Sequence, residues 1–148
     1  MSDIIIEPML DEHIDGIALI EKKCFSVPWS ENALRDELEN PNAFFLTALC
    51  DGSPVGYVGS YGVCGESYIT NIAVLPEYRR RGIGERLLNE LIGHCKDENC
   101  TFLTLEVRKS NFAAITLYEK LGFERVGERK DFYEKPTENA LLYTKFFR

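Results

Sequence analysis

Ile72-Ala73-Val74-Leu75-Pro76-Glu77-Tyr78-Arg79-Arg80-Arg81-Gly82-Ile83-Gly84-Glu85 carries an apolar strand into a basic loop with two glycines and then straight into a helix. Glycine lets backbone approach a bound group closely, and the first turn of a helix offers unpaired N–H groups at the positive end of its dipole. Phosphate or pyrophosphate suits that arrangement, and Arg79, Arg80 and Arg81 add positive charge beside it. A tight turn under a solvated basic patch is the bland alternative. The stretch contains no G-x-x-x-x-G-K-[ST], which argues against a nucleoside triphosphatase, and Gly82-Ile83-Gly84 lacks the third glycine of a dinucleotide fingerprint.

Beyond the loop, Ile83, Leu87, Leu88, Leu91, Ile92 and Cys95 recur at helical spacing, predicting an amphipathic helix of about four turns. Before it, Ala43–Cys50 and Val55–Val63 read as strands joined through Asp51-Gly52, a strong hairpin signal, and a third antiparallel strand runs from about Ser67 to Val74. Ile4–Ile6 reads as a first strand. Asp11–Cys24 reads as a helix with Ile14, Ile17, Ala18 and Ile20 towards one side, and Ser30 caps a second helix carrying Leu34 and Leu38. Downstream come a strand over Phe102–Val107, then a helix with Ala114, Ile115, Leu117, Tyr118 and Leu121 that stops at Gly122. Two last strands follow over Phe123–Val126 and Ala140–Phe146. The order β-α-α-β-β-β-α-β-α-β-β predicts an α/β fold, a mixed sheet with helices on its faces.

With no internal repeat or linker, residues 1–148 read as one domain. A composition of 45% hydrophobic and 28% charged residues excludes a disordered or low-complexity chain. Lys and Arg number 17 against 24 Asp and Glu, and the net charge of −7 disfavours direct binding of nucleic acid or an anionic membrane while attracting a basic partner. No stretch reaches the roughly 20 apolar residues of a membrane span, and Met1–Glu7 lacks the features of a signal peptide, so the expected location is cytoplasmic. Five cysteines without a C-x-x-C pair predict buried, reduced thiols and no metal site. Nothing in the sequence sets His13 or His94 beside a cysteine to make a nucleophile.

The pattern Arg79-x-x-Gly82-x-Gly84 after an Ile-Ala-Val strand resembles the acetyl-CoA pyrophosphate loop of the GNAT superfamily of N-acetyltransferases. Leu105-Glu106-Val107-Arg108-Lys109-Ser110-Asn111, followed by Ala114-Ile115 and Leu117–Phe123, resembles a later motif of the same family. Pro28-Trp29-Ser30 and Tyr133–Ala140 look like the corresponding segments of the bacterial ribosomal-protein-alanine N-acetyltransferases, with Phe132 and Asn139 where that group has Tyr and Asp.

The resemblance implies a mostly antiparallel sheet of about seven strands, splayed near the cofactor site and flanked by about four helices. It implies that the backbone of Ile72, Ala73 and Val74 pairs with the pantetheine arm of acetyl-CoA. Arg80, Arg81, Gly82, Ile83, Gly84 and Glu85 then supply N–H groups to the pyrophosphate, with Arg79 as electrostatic support, and Asn111, which also reads as a helix N-cap, contacts the cofactor.

Acetyl transfer from a thioester to an amine needs a neutral amine, a stabilised oxyanion and a proton for the departing thiolate. At pH 7 deprotonation costs about 1.4 kcal/mol for an α-amine and about 4.6 kcal/mol for a lysine, so an N-terminal amine is the easier acceptor. Glu106, at the end of an otherwise apolar strand, is the candidate base; its alternative is an ion pair with Arg108 or another cation. Tyr118 lies on the apolar side of its helix, where core packing is its ordinary role; the resemblance implies that it protonates the thiolate. The oxyanion donor that the resemblance implies is a backbone N–H near Val74. Trp29, Tyr133 and Glu138 are candidates to line a groove for a peptide N-terminus, and each also reads as packing or surface.

The acceptor expected from the resemblance is the N-terminal alanine of the small-subunit ribosomal protein numbered eighteen, a basic partner. A lysine side chain or small-molecule amine, and a non-catalytic acetyl-CoA sensor, remain as alternatives.

Overall fold

In the computed structural model, which describes residues 3–147, a first strand, β1 (Ile4–Pro8), is followed by α1 (Ile14–Cys24) and α2 (Glu31–Leu38). Asp11–His13, expected as the start of α1, forms a separate 3-10 turn. Ser30 caps α2 as its sequence position predicts, its Oγ accepting the Ala33 N–H at 3.1 Å.

The next three strands form a meander, β2 (Ala43–Cys50), β3 (Ser53–Val63) and β4 (Glu66–Val74). Asp51 and Gly52 turn the first corner with φ of 51° and 82°, and Cys64 and Gly65 turn the second with 53° and 80°. Consecutive positive φ values match the right-handed twist of a hairpin. The basic loop then leads into α3 (Ile83–Asp97), followed by β5 (Phe102–Arg108), α4 (Phe112–Lys120), β6 (Glu124–Tyr133) and β7 (Glu138–Phe146).

The seven strands lie in the order β1-β2-β3-β4-β5-β7-β6, antiparallel throughout except where β4 meets β5. Apolar residues of α3 fill one face of this sheet, where Leu87, Leu88 and Leu91 pack with Val58, Leu103 and Leu105. On the other face Ile14, Ile17 and Ile20 of α1 and Leu34 of α2 pack with Phe45 and Tyr57. Burying each such side chain is worth about 1.5–3 kcal/mol, enough to fix both helix layers.

β6 runs far beyond the expected Phe123–Val126, because it is an edge strand exposed along nearly its whole length and paired only with β7. The cysteines also depart from expectation. Cys95 is buried, Cys24, Cys50 and Cys100 are partly covered, and Cys64 is exposed on its turn. No helix among the described residues is long and apolar enough to cross a membrane.

Candidate active site

β4 and β5 pair only across Glu66–Tyr68 and Phe102–Thr104, and then part. The rest of β4 therefore keeps an unpaired edge facing a gap. Within β4, Asn71 lies opposite Gly59 and Ile69 opposite Ser60, so Thr70 is an extra residue, a bulge. Bulging reverses the alternation of side chains. Ile69 and Ile72, three apart, both face the α3 side, whereas Ala73 and Asn71 face the side of α1. A cavity of about 700 Å³ fills the gap between the parted strands. Ile72, Asn71, Glu106, Tyr118 and Tyr133 stand on its wall, with Trp29 at the α1–α2 loop.

The glycine loop lies at the end of the same strand. Arg80 and Gly82 take φ of 65° and 76°, and Gly82 caps α3 without a side chain. The first helical bond runs from the Arg86 N–H to Gly82 O at 3.0 Å, which leaves the N–H groups of Ile83, Gly84 and Glu85 without an intrahelical acceptor. A Cβ on Gly82 would meet nothing within 4 Å, and one on Gly84 only Leu117 at 3.7 Å, so the space over this first turn is open. That openness, the free N–H groups and the exposed Arg80 and Arg81 fit a pyrophosphate. Arg79 does something else. Its Nε donates to Val74 O at 2.9 Å and its Nη2 reaches Cys24 Sγ at 3.5 Å, so it braces the loop against β4. Glu85 pairs with Lys120 at 2.7 Å, joining the first turn of α3 to α4.

Across the gap, the Glu106 side chain is one-third exposed, and its nearest cation is Arg129 at 3.9 Å. Of the cations offered to it as alternatives, Arg108 turns instead to the hairpin between β6 and β7, where it binds Glu134 O and Pro136 O, each at 2.9 Å, and Glu138 at 3.2 Å, so the other-cation alternative is met by Arg129. Tyr118 is buried to 4% exposure at the cavity wall. Burial, and then Tyr133, push its phenol pKa well up, so it stays protonated. Burial and the Glu106 carboxylate likewise push Tyr133 up to about 12.

Asn111 caps α4, its Oδ1 accepting the Ala114 N–H at 3.2 Å, and also lines the cavity. Trp29 and Tyr133 stand on the cavity wall. Glu138 stands behind it, accepting the Ser110 N–H at 2.7 Å as well as Arg108.

Sequence reasoning passed over Glu21 and Asn71. Glu21 is fully buried in α1. Its Oε1 accepts the Trp29 N–H at 2.8 Å, and its Oε2 accepts Tyr57 OH at 2.5 Å and Asn71 Nδ2 at 3.2 Å. Burial pushes its carboxyl pKa upward while the Trp29 and Tyr57 donors pull it back. Beside Lys22 and Lys23 it reads as one more surface charge, yet it falls seven residues after Ile14 and four after Ile17, on the buried stripe.

A parted parallel strand pair with a glutamate and a buried tyrosine on the cavity between them, and an open, glycine-started helix at the end of one of those strands, is an arrangement suited to an acyl-transferring enzyme. The model of the acetyltransferase (GNAT) family matches residues 14–123, and the chain belongs to that family. It is 37% identical to the [ribosomal protein bS18]-alanine N-acetyltransferase of Haemophilus influenzae over 83% of this chain and 85% of that one. The crystal structure of the ribosomal-protein-S18-alanine N-acetyltransferase from Escherichia coli superimposes with a TM-score of 0.90 at 29% identity, covering 97% of this chain and 94% of that one. The fold is also that of Arabidopsis thaliana NAA60 in complex with acetyl-CoA, with a TM-score of 0.90 at 19% identity over 98% and 99% of the two chains.

Proposed function

We propose that this chain transfers acetyl from acetyl-CoA to the α-amine of a protein N-terminus, with the N-terminal alanine of ribosomal protein bS18 as its acceptor. The observation that carries this reading is the meeting of the unpaired β4 edge, Glu106 and Tyr118 on one cavity, with the open first turn of α3 at the end of the same strand. Acetyl-CoA, when bound, supplies an activated acetyl thioester.

The backbone of Ile72, Ala73 and Val74 offers a strand edge to the pantetheine arm. Arg80, Arg81, Gly82, Ile83, Gly84 and Glu85 receive the pyrophosphate, and Asn111 supports the cofactor from α4. Glu106, on β5 beyond the point where β4 departs, accepts the amine proton directly or through water. Tyr118, protonated throughout the neutral range, delivers a proton to the thiolate. A backbone N–H near Val74 holds the oxyanion.

The acceptor assignment draws on the relatives' chemistry, on the smaller cost of deprotonating an α-amine, and on the net charge of −7, which attracts a basic protein. The test is release of CoA thiol with an Ala-initiated bS18 peptide, the same peptide with its α-amine blocked, and a lysine-only control. Turnover of the free Ala terminus alone is the expected result. Turnover of the lysine control alone contradicts the acceptor, and silence throughout contradicts the reaction.

A further inference from the structure

A buried carboxylate in an apolar layer is costly unless donors satisfy it, and packing alone would be served as well by an apolar side chain. Glu21 is fully buried among the residues of the α1 face and is met by three donors, from the α1–α2 loop, β3 and β4. This arrangement has a consequence for Asn71. A carboxylate accepts only, so Asn71 must turn its Nδ2 to Glu21; the flipped amide would set oxygen against oxygen. Its Oδ1 is left for the cavity that Asn71 lines.

Asn71 owes its position to the bulge at Thr70, which turns it to the α1 face. Glu106 lies on that same face of β5, since Leu103, Leu105 and Val107, which alternate with it, pack into the opposite core. Thus a neutral acceptor and a carboxylate project to one face from the two rims of the gap. A primary amine ready to attack has two N–H donors and one lone pair. Two acceptors on opposite rims fix both donors and so aim the lone pair.

We propose that Asn71 Oδ1 is a second acceptor for the incoming amine, opposite Glu106, and that the buried Glu21 is a positioning residue that holds the Asn71 amide in the required orientation. The inference rests on the amine-acetylating reading above and adds to it the way the acceptor nitrogen is held. Asn71 binds substrate; Glu21 acts only through it.

The experiment is steady-state kinetics of wild type, Asn71→Ala, Glu21→Gln and the double variant with the Ala-initiated peptide and acetyl-CoA, each variant's melting temperature being recorded alongside. Asn71→Ala is expected to raise the peptide KM about tenfold and leave the acetyl-CoA KM within twofold. Glu21→Gln keeps the side-chain volume but frees the amide to flip, and is expected to raise the peptide KM in the same sense. The double variant is expected to be no worse than Asn71→Ala alone, because Glu21 has nothing left to orient.

A peptide KM within twofold of wild type in folded Asn71→Ala overturns the proposal, as does an equal rise in both KM values. Full additivity in the double variant overturns the role of Glu21. A wild type that acetylates no α-amine overturns the functional reading and this proposal with it, whereas wild-type turnover with an unaltered Asn71→Ala overturns this proposal alone.

Discussion

Arg108 Nη1 lies 3.2 Å from Glu138 Oε1, so the last residue of β5 is tied to the first residue of β7 and, through Glu134 O and Pro136 O, to the hairpin that forms one wall of the cavity. The guanidinium also lies over the Tyr133 ring, 4.5 Å from its centre. One side chain thus gathers this wall and leaves the neighbouring Glu106 to the longer, 3.9 Å contact with Arg129. Arg108→Ala should lower the melting temperature by a few degrees, because the hairpin loses its tie to β5 while the released carboxylate and carbonyls regain water. Calorimetry checks the loss, and a melting temperature unchanged from wild type contradicts it.

The same tie should loosen in acid. Ser110, and then Arg108, hold the Glu138 carboxyl below its ordinary pKa. A carboxyl lowered in the folded state contributes stability that is fully present above its unfolded pKa of about 4.3 and is lost as pH falls through the folded value. NMR shifts of residues 134–137 should therefore be constant above about pH 5 and move below it. Arg108→Ala should weaken that response.

Glu106→Gln should lower kcat/KM about 10²–10⁴-fold with acetyl-CoA affinity unchanged. Without a base the variant depends on amine that is already neutral, so its activity should climb with pH up to about 8, the α-amine pKa, more steeply than wild type. A pH profile parallel to wild type removes Glu106 from amine deprotonation.

Tyr118→Phe should slow turnover about a hundredfold, the low end of general acid–base effects, with cofactor binding preserved. Burial keeps the phenol protonated, so Tyr118 should add no limb to the pH–rate profile in the neutral range. Undiminished turnover in the variant returns Tyr118 to core packing, which it also performs against Phe123 and Tyr143.

Much of this arrangement was legible in the residues. Asp51-Gly52 marked the hairpin, the spacing from Ile83 to Cys95 marked α3, and the Arg79-x-x-Gly82-x-Gly84 stretch marked the loop at its start. What escaped was set by tertiary pairing. β6 has no alternation to read, because an edge strand with both faces wet needs none. The bulge at Thr70 arises from its register against Gly59 and Ser60 of β3, and it alone turns Asn71 towards Glu21. Arg108 stands two residues from Glu106, on the same side of β5, which made it one candidate partner; the hairpin carbonyls, 26 and 28 residues away, take the arginine, and the cation that approaches Glu106 is Arg129 of β6.

Acetylation at the α-amine of an N-terminal alanine is tested by mass spectrometry of full-length bS18 after incubation with the purified protein and acetyl-CoA, with the modified peptide sequenced. A single acetyl group on Ala, absent when Glu106→Gln replaces wild type, is the predicted result. Acetyl groups on lysine side chains with a free N-terminus would contradict the account.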